Sequence, residues 1–202
     1  MSIFRTALSL VALLVVASCS STKQVSQSQP AEGRWLTPSP LLKSQLEDEA
    51  DQLPYVRSIE RLELIRWFAG VGEPAYGTLL GLLSDPRDEV AAAAFAALGI
   101  TGDRRLVDPI RATEWEPVER SHDLKLERAR TLVRLGDWRE IPTLIEGLSD
   151  ERRFTRRLSI TALKESTGED LGYDEDASET SREIAIAAWE RWWLKYSGDP
   201  LR

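Results

Sequence analysis

The chain has one cysteine and one histidine among its 202 residues. A single cysteine leaves no second thiol for an internal disulfide. One cysteine and one histidine are also too few side chains for the usual zinc ligand sets. The run Ser121-His122-Asp123 does not form a catalytic triad, because adjacent side chains point in different directions. We therefore expect Ser121 to cap a helix and His122 to lie on the surface. We also expect no metal, no cofactor and no enzymatic activity.

Basic charge is also scarce relative to acidic charge. The 26 lysines and arginines face 33 aspartates and glutamates, which gives a formal net charge of -7. Nucleic-acid-binding proteins need a basic surface, so this balance argues against a nucleic-acid partner. The sequence also lacks a glycine-rich phosphate loop and a GxSxG nucleophile elbow.

Long apolar runs are limited to the N-terminus. Arg5 precedes the apolar run from Ala7 to Ala17, which is short for a membrane span, and Ser18-Cys19 follows it. This segment resembles the signal of bacterial lipoproteins, whose cysteine is acylated after cleavage. The resemblance implies a signal peptide at residues 1–18 and lipidation (a palmitate-type modification) of Cys19. The alternative is a buried thiol that follows an ordinary secretory signal.

Residues 19–40 are rich in Ser, Gln, Pro and Thr, and predict a flexible tether between the lipid and a helical domain at 41–202. Trp35 docks either on that domain or on the membrane interface, and the domain is favoured. The lipoprotein resemblance implies a lipid-anchored protein of the bacterial cell envelope. Ser20, where a sorting aspartate could stand, favours the outer over the inner membrane.

The domain contains an internal repeat. Glycines typical of helix ends occur at Gly72, Gly102, Gly136 and Gly168, with spacings of 30, 34 and 32 residues. The apolar face of Tyr76, Leu79, Leu80 and Leu83 recurs 65 residues later as Ile141, Leu144, Ile145 and Leu148, and both copies end in Leu-Ser-Asp. A period near thirty with two helices per unit predicts an all-α fold, specifically an α-solenoid (superhelix).

The units EPAYGTLLGLLSD and RDEVAAAAFAALGITGD resemble HEAT repeats, including the short units of phycobilisome lyases and other armadillo-like helical proteins. The resemblance implies about four hairpins, each with an outer and an inner helix. We predict helices over 41–53, 58–70, 74–84, 87–99, 104–114, 122–135, 138–148, 152–166 and 181–196. Asp85, with Pro86, and Asp150 are predicted N-caps, and Thr180 with Glu183 a capping box.

The last helix is rich in aromatic residues. Trp189, Trp193 and Tyr196 share a face with Ile186, which predicts a capping helix on the last repeat. Trp192 points partly away from that face, so it is a candidate for partner binding. The preceding segment resembles the ending of other bacterial HEAT-repeat lipoproteins, which implies a turn at Gly172 and a Tyr173 that packs back.

Two further segments are ambiguous. The acidic segment 167–181 fails the calcium-loop template, so it is predicted to be a solvated loop rather than a metal site. The helix at 104–114 has Arg111 and Glu114 where leucines are expected, and Trp115 follows. This middle unit is either a binding position or a degenerate copy.

The inner helices around 58–70, 87–99, 122–135 and 152–166 are expected to line a concave binding face. Phe154, Leu158 and Ala162 are predicted to form the buried side of the last of these helices. The candidate exposed contacts for a partner are Arg61, Arg66, Arg87, Arg128, Arg156 and Arg157. The arginines at 152–157 either bind an acidic partner or pair with neighbouring acids.

The function expected from the sequence is a non-enzymatic scaffold or adaptor that binds a protein at the envelope. One alternative is a lyase-like or enzyme-accessory protein that assists modification of a partner. Another is a structural lipoprotein with no specific partner.

Overall fold

The computed structural model describes residues 34–115 and 120–198. Cys19, the signal peptide and most of the tether lie outside the described residues. Within those residues the fold is all-α, as predicted, and it contains no strand. The helices described are α1 (Pro40–Gln52), α2 (Ser58–Val71), α3 (Tyr76–Leu82), α4 (Asp88–Thr101), α5 (Val107–Arg111), α6 (His122–Arg134), α7 (Ile141–Glu146), α8 (Arg153–Thr167) and α9 (Glu179–Ser197). None of them is long and apolar enough to cross a membrane.

The glycines predicted to end helices do so. Gly72, Gly102, Gly136 and Gly168 all have φ between 67° and 89°, a region that side chains with a Cβ adopt at a cost. They follow the ends of α2, α4, α6 and α8, respectively. The four glycines therefore lie at helix ends, as their positions in the sequence predict.

The shorter predicted helices are divided. A 3₁₀ turn precedes α3, α5 and α7; these three turns are Glu73–Ala75, Arg104–Leu106 and Trp138–Glu140. A fourth 3₁₀ turn, Gly147–Ser149, follows α7. Pro142 lacks the N–H that an α-helix continuous from Trp138 would use to bond the carbonyl four residues earlier, which fits the division between the 3₁₀ turn Trp138–Glu140 and α7. The predicted helix at 104–114 ends as early as Arg111.

Several predicted caps are wrong. Helix α4 begins at Asp88, and Asp85 does not cap it but accepts a hydrogen bond from the backbone N of Arg87. Asp150 does the same for Arg152, ahead of α8. Helix α9 begins earlier than expected, and its cap is Ser178 instead of Thr180. Ser121 caps α6, as predicted, by accepting from the N–H of Leu124.

Four helices pack in series. Helix α2 contacts α4, α4 contacts α6 and α6 contacts α8, so every second helix is a neighbour. Small residues allow the close approach of α4 and α6, where Gly99 lies against Thr131 and the Thr131 hydroxyl donates to the Phe95 carbonyl at 2.9 Å. The shorter helices lie beside this series, since α3 contacts α4 and α7 contacts both α8 and α9.

The apolar core has two parts. One contains buried side chains from α1 to α6, among them Phe68 and Phe95. The other lies between α6, α7, α8 and α9, and Trp189 is its largest fully buried side chain. Tyr173 packs back into this second part, as predicted, and its hydroxyl donates to the Leu148 carbonyl at 2.6 Å.

The helical domain begins before residue 41. Trp35 packs edge-on against Tyr76 with ring centroids 5.0 Å apart, and the Arg105 guanidinium lies 5.3 Å from the Trp35 ring. The N–H of Leu36 donates to Glu73, and Arg34 donates to the Arg105 carbonyl at 2.9 Å. Trp35 therefore docks on the domain, which was the favoured alternative.

Candidate binding surfaces

An Asp-x-Arg turn recurs at four places in the chain. In each turn the aspartate accepts from the backbone N–H of the arginine two residues later, and the same guanidinium closes an ion pair with that carboxylate. The pairs are Asp85 and Arg87, Asp103 and Arg105, Asp137 and Arg139, and Asp150 and Arg152. The arginine hydrogen bond lowers the pKa of Asp85, Asp103 and Asp150. Each turn precedes a helix and fixes its entry.

Side chains of three of these turns also pair with a charged side chain of a neighbouring unit. Arg105 donates to Glu73 at 2.9 Å, and Arg152 donates to both carboxylate oxygens of Asp123 at 2.6 Å. Asp137 accepts from Arg111, which also binds Glu140 at 3.0 Å. The partners are 26 to 32 residues apart in these contacts, so the turns connect successive units.

The middle unit departs from the leucine pattern for a structural reason. Arg111 stands where leucine was expected because it pairs with Asp137 and Glu140 of the following unit. Trp115 donates its indole N–H to the Leu83 carbonyl at 3.2 Å and packs edge-on against Phe95. Arg128 lies 4.9 Å from the Trp115 ring. These residues are bound inside the domain, which disfavours Arg111 and Trp115 as free contacts.

A groove of about 430 Å³ runs across α4, α6 and α8, and we call it the inner-helix groove. Apolar side chains form part of its lining: Ala92, Leu124, Leu126, Phe154 and Leu158. Phe154 is 70% exposed, against the prediction that it is buried. Because the buried face of α8 instead contains residues such as Thr155, Ser159 and Ile160, Phe154 points toward solvent at the groove.

The charged side chains of the inner-helix groove are largely matched to one another. Arg120 donates to Asp88 at 3.0 Å, Arg152 binds Asp123, and Arg130 pairs with Glu127. Burial lowers the pKa of Arg130 to about 10, which leaves it charged at neutral pH. Of the acidic residues that line the groove, Glu89 alone has no ion pair within residues 34–115 and 120–198. The groove therefore presents apolar surface bordered by neutralised pairs.

The six predicted arginine contacts fall into different environments. Arg66 and Arg157 are exposed, and Arg157 lies 3.8 Å from Glu175. Arg87 is exposed but bound to Asp85. The other three, Arg61, Arg128 and Arg156, are at least half-buried, so the six do not form one exposed set.

Three of the predicted contacts are partly or fully buried. Arg61 is half-buried and donates to the Val56 carbonyl at 2.9 Å, and Arg128 is half-buried and donates to the Arg111 carbonyl at 3.0 Å. The expectation that Arg156 is exposed is wrong. Its guanidinium is buried because it satisfies three carbonyls, those of Asp150, Glu151 and Glu175.

Trp192 belongs to an aromatic cluster rather than standing alone. It is half-buried, stacks on Tyr196 with centroids 5.2 Å apart and meets the buried Trp189 at 5.7 Å. Trp138 from the preceding unit lies 4.8 Å from Tyr196. Part of the Trp192 surface remains accessible, so its role in binding stays a prediction.

The acidic loop and His122 have ordinary partners. Asp176 binds Arg153, and Asp170 binds Lys164 at 3.0 Å. His122 is exposed, as predicted, with Nε2 at 3.6 Å from Asp150. In the part of the chain that the structure describes, no group of three His, Cys, Asp or Glu side chains could hold a metal ion.

Neither the Asp-x-Arg turn nor the inner-helix groove was predicted from the sequence. The turn has a readable signal, since Asp recurs two residues before Arg at positions 85, 103, 137 and 150. The groove has no such signal, because it depends on which side of α8 is buried. No protein-family model matches the chain, and the comparison with curated proteins finds no relative.

Proposed function

We propose that the protein is an envelope-anchored, non-enzymatic binding platform, a short α-solenoid of HEAT-like hairpins whose partner docks in the inner-helix groove. The single observation that carries this proposal is the exposed Phe154 beside the apolar lining of that groove. A large aromatic side chain exposed at a concave apolar surface is typical of a protein-binding site.

The helix arrangement supports the solenoid. The series of contacts from α2 to α8 and the four glycines follow one period. The Asp-x-Arg turns recur within it at two kinds of position, before α4 and α8 and before α5 and α7. In this proposal α9 is the capping helix, since Trp189 covers the second part of the core. Stacked hairpins of this kind present an extended face formed by their inner helices.

The charge pairing of the groove supports binding over catalysis. General acid–base work usually takes a pair of titratable groups whose protons are free to move, whereas guanidiniums hold the groove carboxylates of Asp88, Asp123 and Glu127 and leave Glu89 alone. The apolar lining instead favours burial of a partner's apolar side chains, which contributes about 25 cal/mol per Å².

The anchor is the second half of the proposal. The resemblance of residues 1–19 to a lipoprotein signal supports acylation of Cys19 and attachment to the envelope, with the outer membrane favoured. A lipid on Cys19 would hold the groove near one membrane surface, where a partner in the same compartment meets it.

Photo-crosslinking in the native envelope tests the proposal. A benzoylphenylalanine at position 154 should give a discrete protein adduct, because that side chain would lie at the interface. The matched control is position 100, where Ile100 is 51% exposed on the same domain. Equal adducts from both positions, or none from position 154, would reject the groove as the binding site.

A further inference from the structure

A second groove, of about 480 Å³, lies between α7 and α9, and we call it the α7–α9 groove. Its lining includes Ile145, Glu146, Ile186, Glu190, Trp193 and Leu194. The apolar part of the lining has a buried floor, formed by Ile145, and an exposed side chain, Leu194, which is 70% accessible to solvent. It is a different surface from the inner-helix groove, on other helices.

The charge of this groove is uncompensated. Glu146 and Glu190 are both exposed, and neither forms an ion pair or hydrogen bond within the residues that the structure describes. No lysine or arginine in those residues lines the groove. The inner-helix groove is the contrast, because guanidiniums there neutralise Asp88 and Asp123. Two free carboxylates beside apolar surface attract cations and repel anions.

The rest of the lining suits a particular kind of cation. Lysine and arginine side chains lay their aliphatic stems on apolar surface while the charged end reaches a polar group. Ile186 and Leu194 offer such a surface, and the Trp193 ring can attract the cation itself. A small metal ion would gain nothing from these apolar groups.

We propose that the α7–α9 groove binds a peptide segment of a protein partner that carries arginine or lysine beside aliphatic side chains. The chain's own undescribed ends supply little of this charge. Residues 20–33 contain one cation, Lys23, and Arg202 is accompanied by Asp199. Anionic lipid headgroups are repelled by the two carboxylates.

The test measures binding of a labelled arginine–leucine peptide to the lipidated full chain in neutral-lipid nanodiscs, with empty nanodiscs as the blank. The comparison peptide has every arginine replaced by glutamate. We expect the cationic peptide to bind and the anionic one not to bind. In Glu146→Gln/Glu190→Gln the dissociation constant should rise about tenfold or more, since charge-assisted contacts are lost.

The matched control is Glu179→Gln/Glu183→Gln, which removes the same charge from α9 outside the groove. It should leave the affinity nearly unchanged. Equal weakening in both double variants, no weakening in the groove variant, or equal binding of the two peptides would each overturn the proposal. The proposal would also be overturned if the protein self-associates, if this self-association blocks peptide binding, and if the groove variant no longer self-associates. None of these outcomes depends on crosslinking at position 154.

Discussion

Asp137 offers the sharpest test of the electrostatic design of the domain. Its buried carboxylate accepts from Arg139 at 2.8 and 2.9 Å and from Arg111 of the preceding unit. Burial by itself would raise the pKa of Asp137, but the hydrogen bonds from Arg139 and Arg111 outweigh it and lower the pKa to about 2. The substitution Asp137→Asn keeps the shape and removes the charge.

The magnitude follows from linkage between protonation and folding. The ordinary pKa of an aspartate is 3.8, so the folded carboxyl binds protons less readily than the unfolded one. Stability from this group is fully present above about pH 4 and is lost as the pH falls toward 2. The lowered pKa corresponds to about 2 kcal/mol of stability at pH 7 and to about half of that at pH 3.

The assay is urea unfolding of both proteins, followed by circular dichroism, at pH 7 and pH 3. Asp137→Asn should lower the free energy of unfolding by about 2 kcal/mol or more at pH 7, and by about half as much at pH 3. Asp85→Asn is the matched control, because Asp85 forms the same turn and the same bidentate pair with Arg87. Among the residues described, no guanidinium of another unit donates to the Asp85 carboxylate, whereas Arg111 donates to that of Asp137.

Asp85→Asn should therefore cost less than Asp137→Asn. A difference between wild type and Asp137→Asn that stays constant from pH 7 to pH 3 would refute the reasoning, since the cost would then come from shape and not from charge. So would a larger cost in the Asp85 variant.

Three further predictions concern packing and the anchor. A Cβ on Gly147 would lie 2.4 Å from the Ser159 hydroxyl, so Gly147→Ala should lower the free energy of unfolding in urea by about 1–3 kcal/mol. Gly81 has open space around it, so Gly81→Ala should raise that free energy slightly. Equal effects of the two substitutions would contradict this packing. Tyr173→Phe leaves the Leu148 carbonyl without its donor and should cost about 1–3 kcal/mol in the same assay, and a neutral result would mean that water replaces the hydroxyl. Cys19→Ser should abolish fatty-acid labelling and release the protein from the membrane fraction; labelling that persists would reject the lipoprotein assignment.

The helices and their period could be predicted from the sequence because they depend on local chemistry. Apolar spacing gave the position of each helix, and the glycines at 72, 102, 136 and 168 marked four ends that the structure confirms. Helix starts were harder to predict. An aspartate before a helix can cap it directly or bind the backbone two residues on, and Asp85 and Asp150 do the second.

The surfaces were less predictable because they depend on which partner a side chain finds in three dimensions. Arg156 belongs to a basic run, yet three carbonyls draw it into the domain, while the apolar Phe154 is left exposed. Side-chain polarity alone would predict the opposite, an exposed Arg156 and a buried Phe154. The α7–α9 groove requires that Glu146 and Glu190, on different helices, come to one surface, which no local pattern encodes.

The Asp-x-Arg turns also bear on how the chain acquires its structure. Each closes its ion pair over two residues, so its formation costs little loop entropy and needs no distant segment. A growing chain can therefore set the direction of the helix that follows such a turn as soon as the turn is complete. We expect these turns to form early in folding, because contacts that are close in sequence form before distant ones.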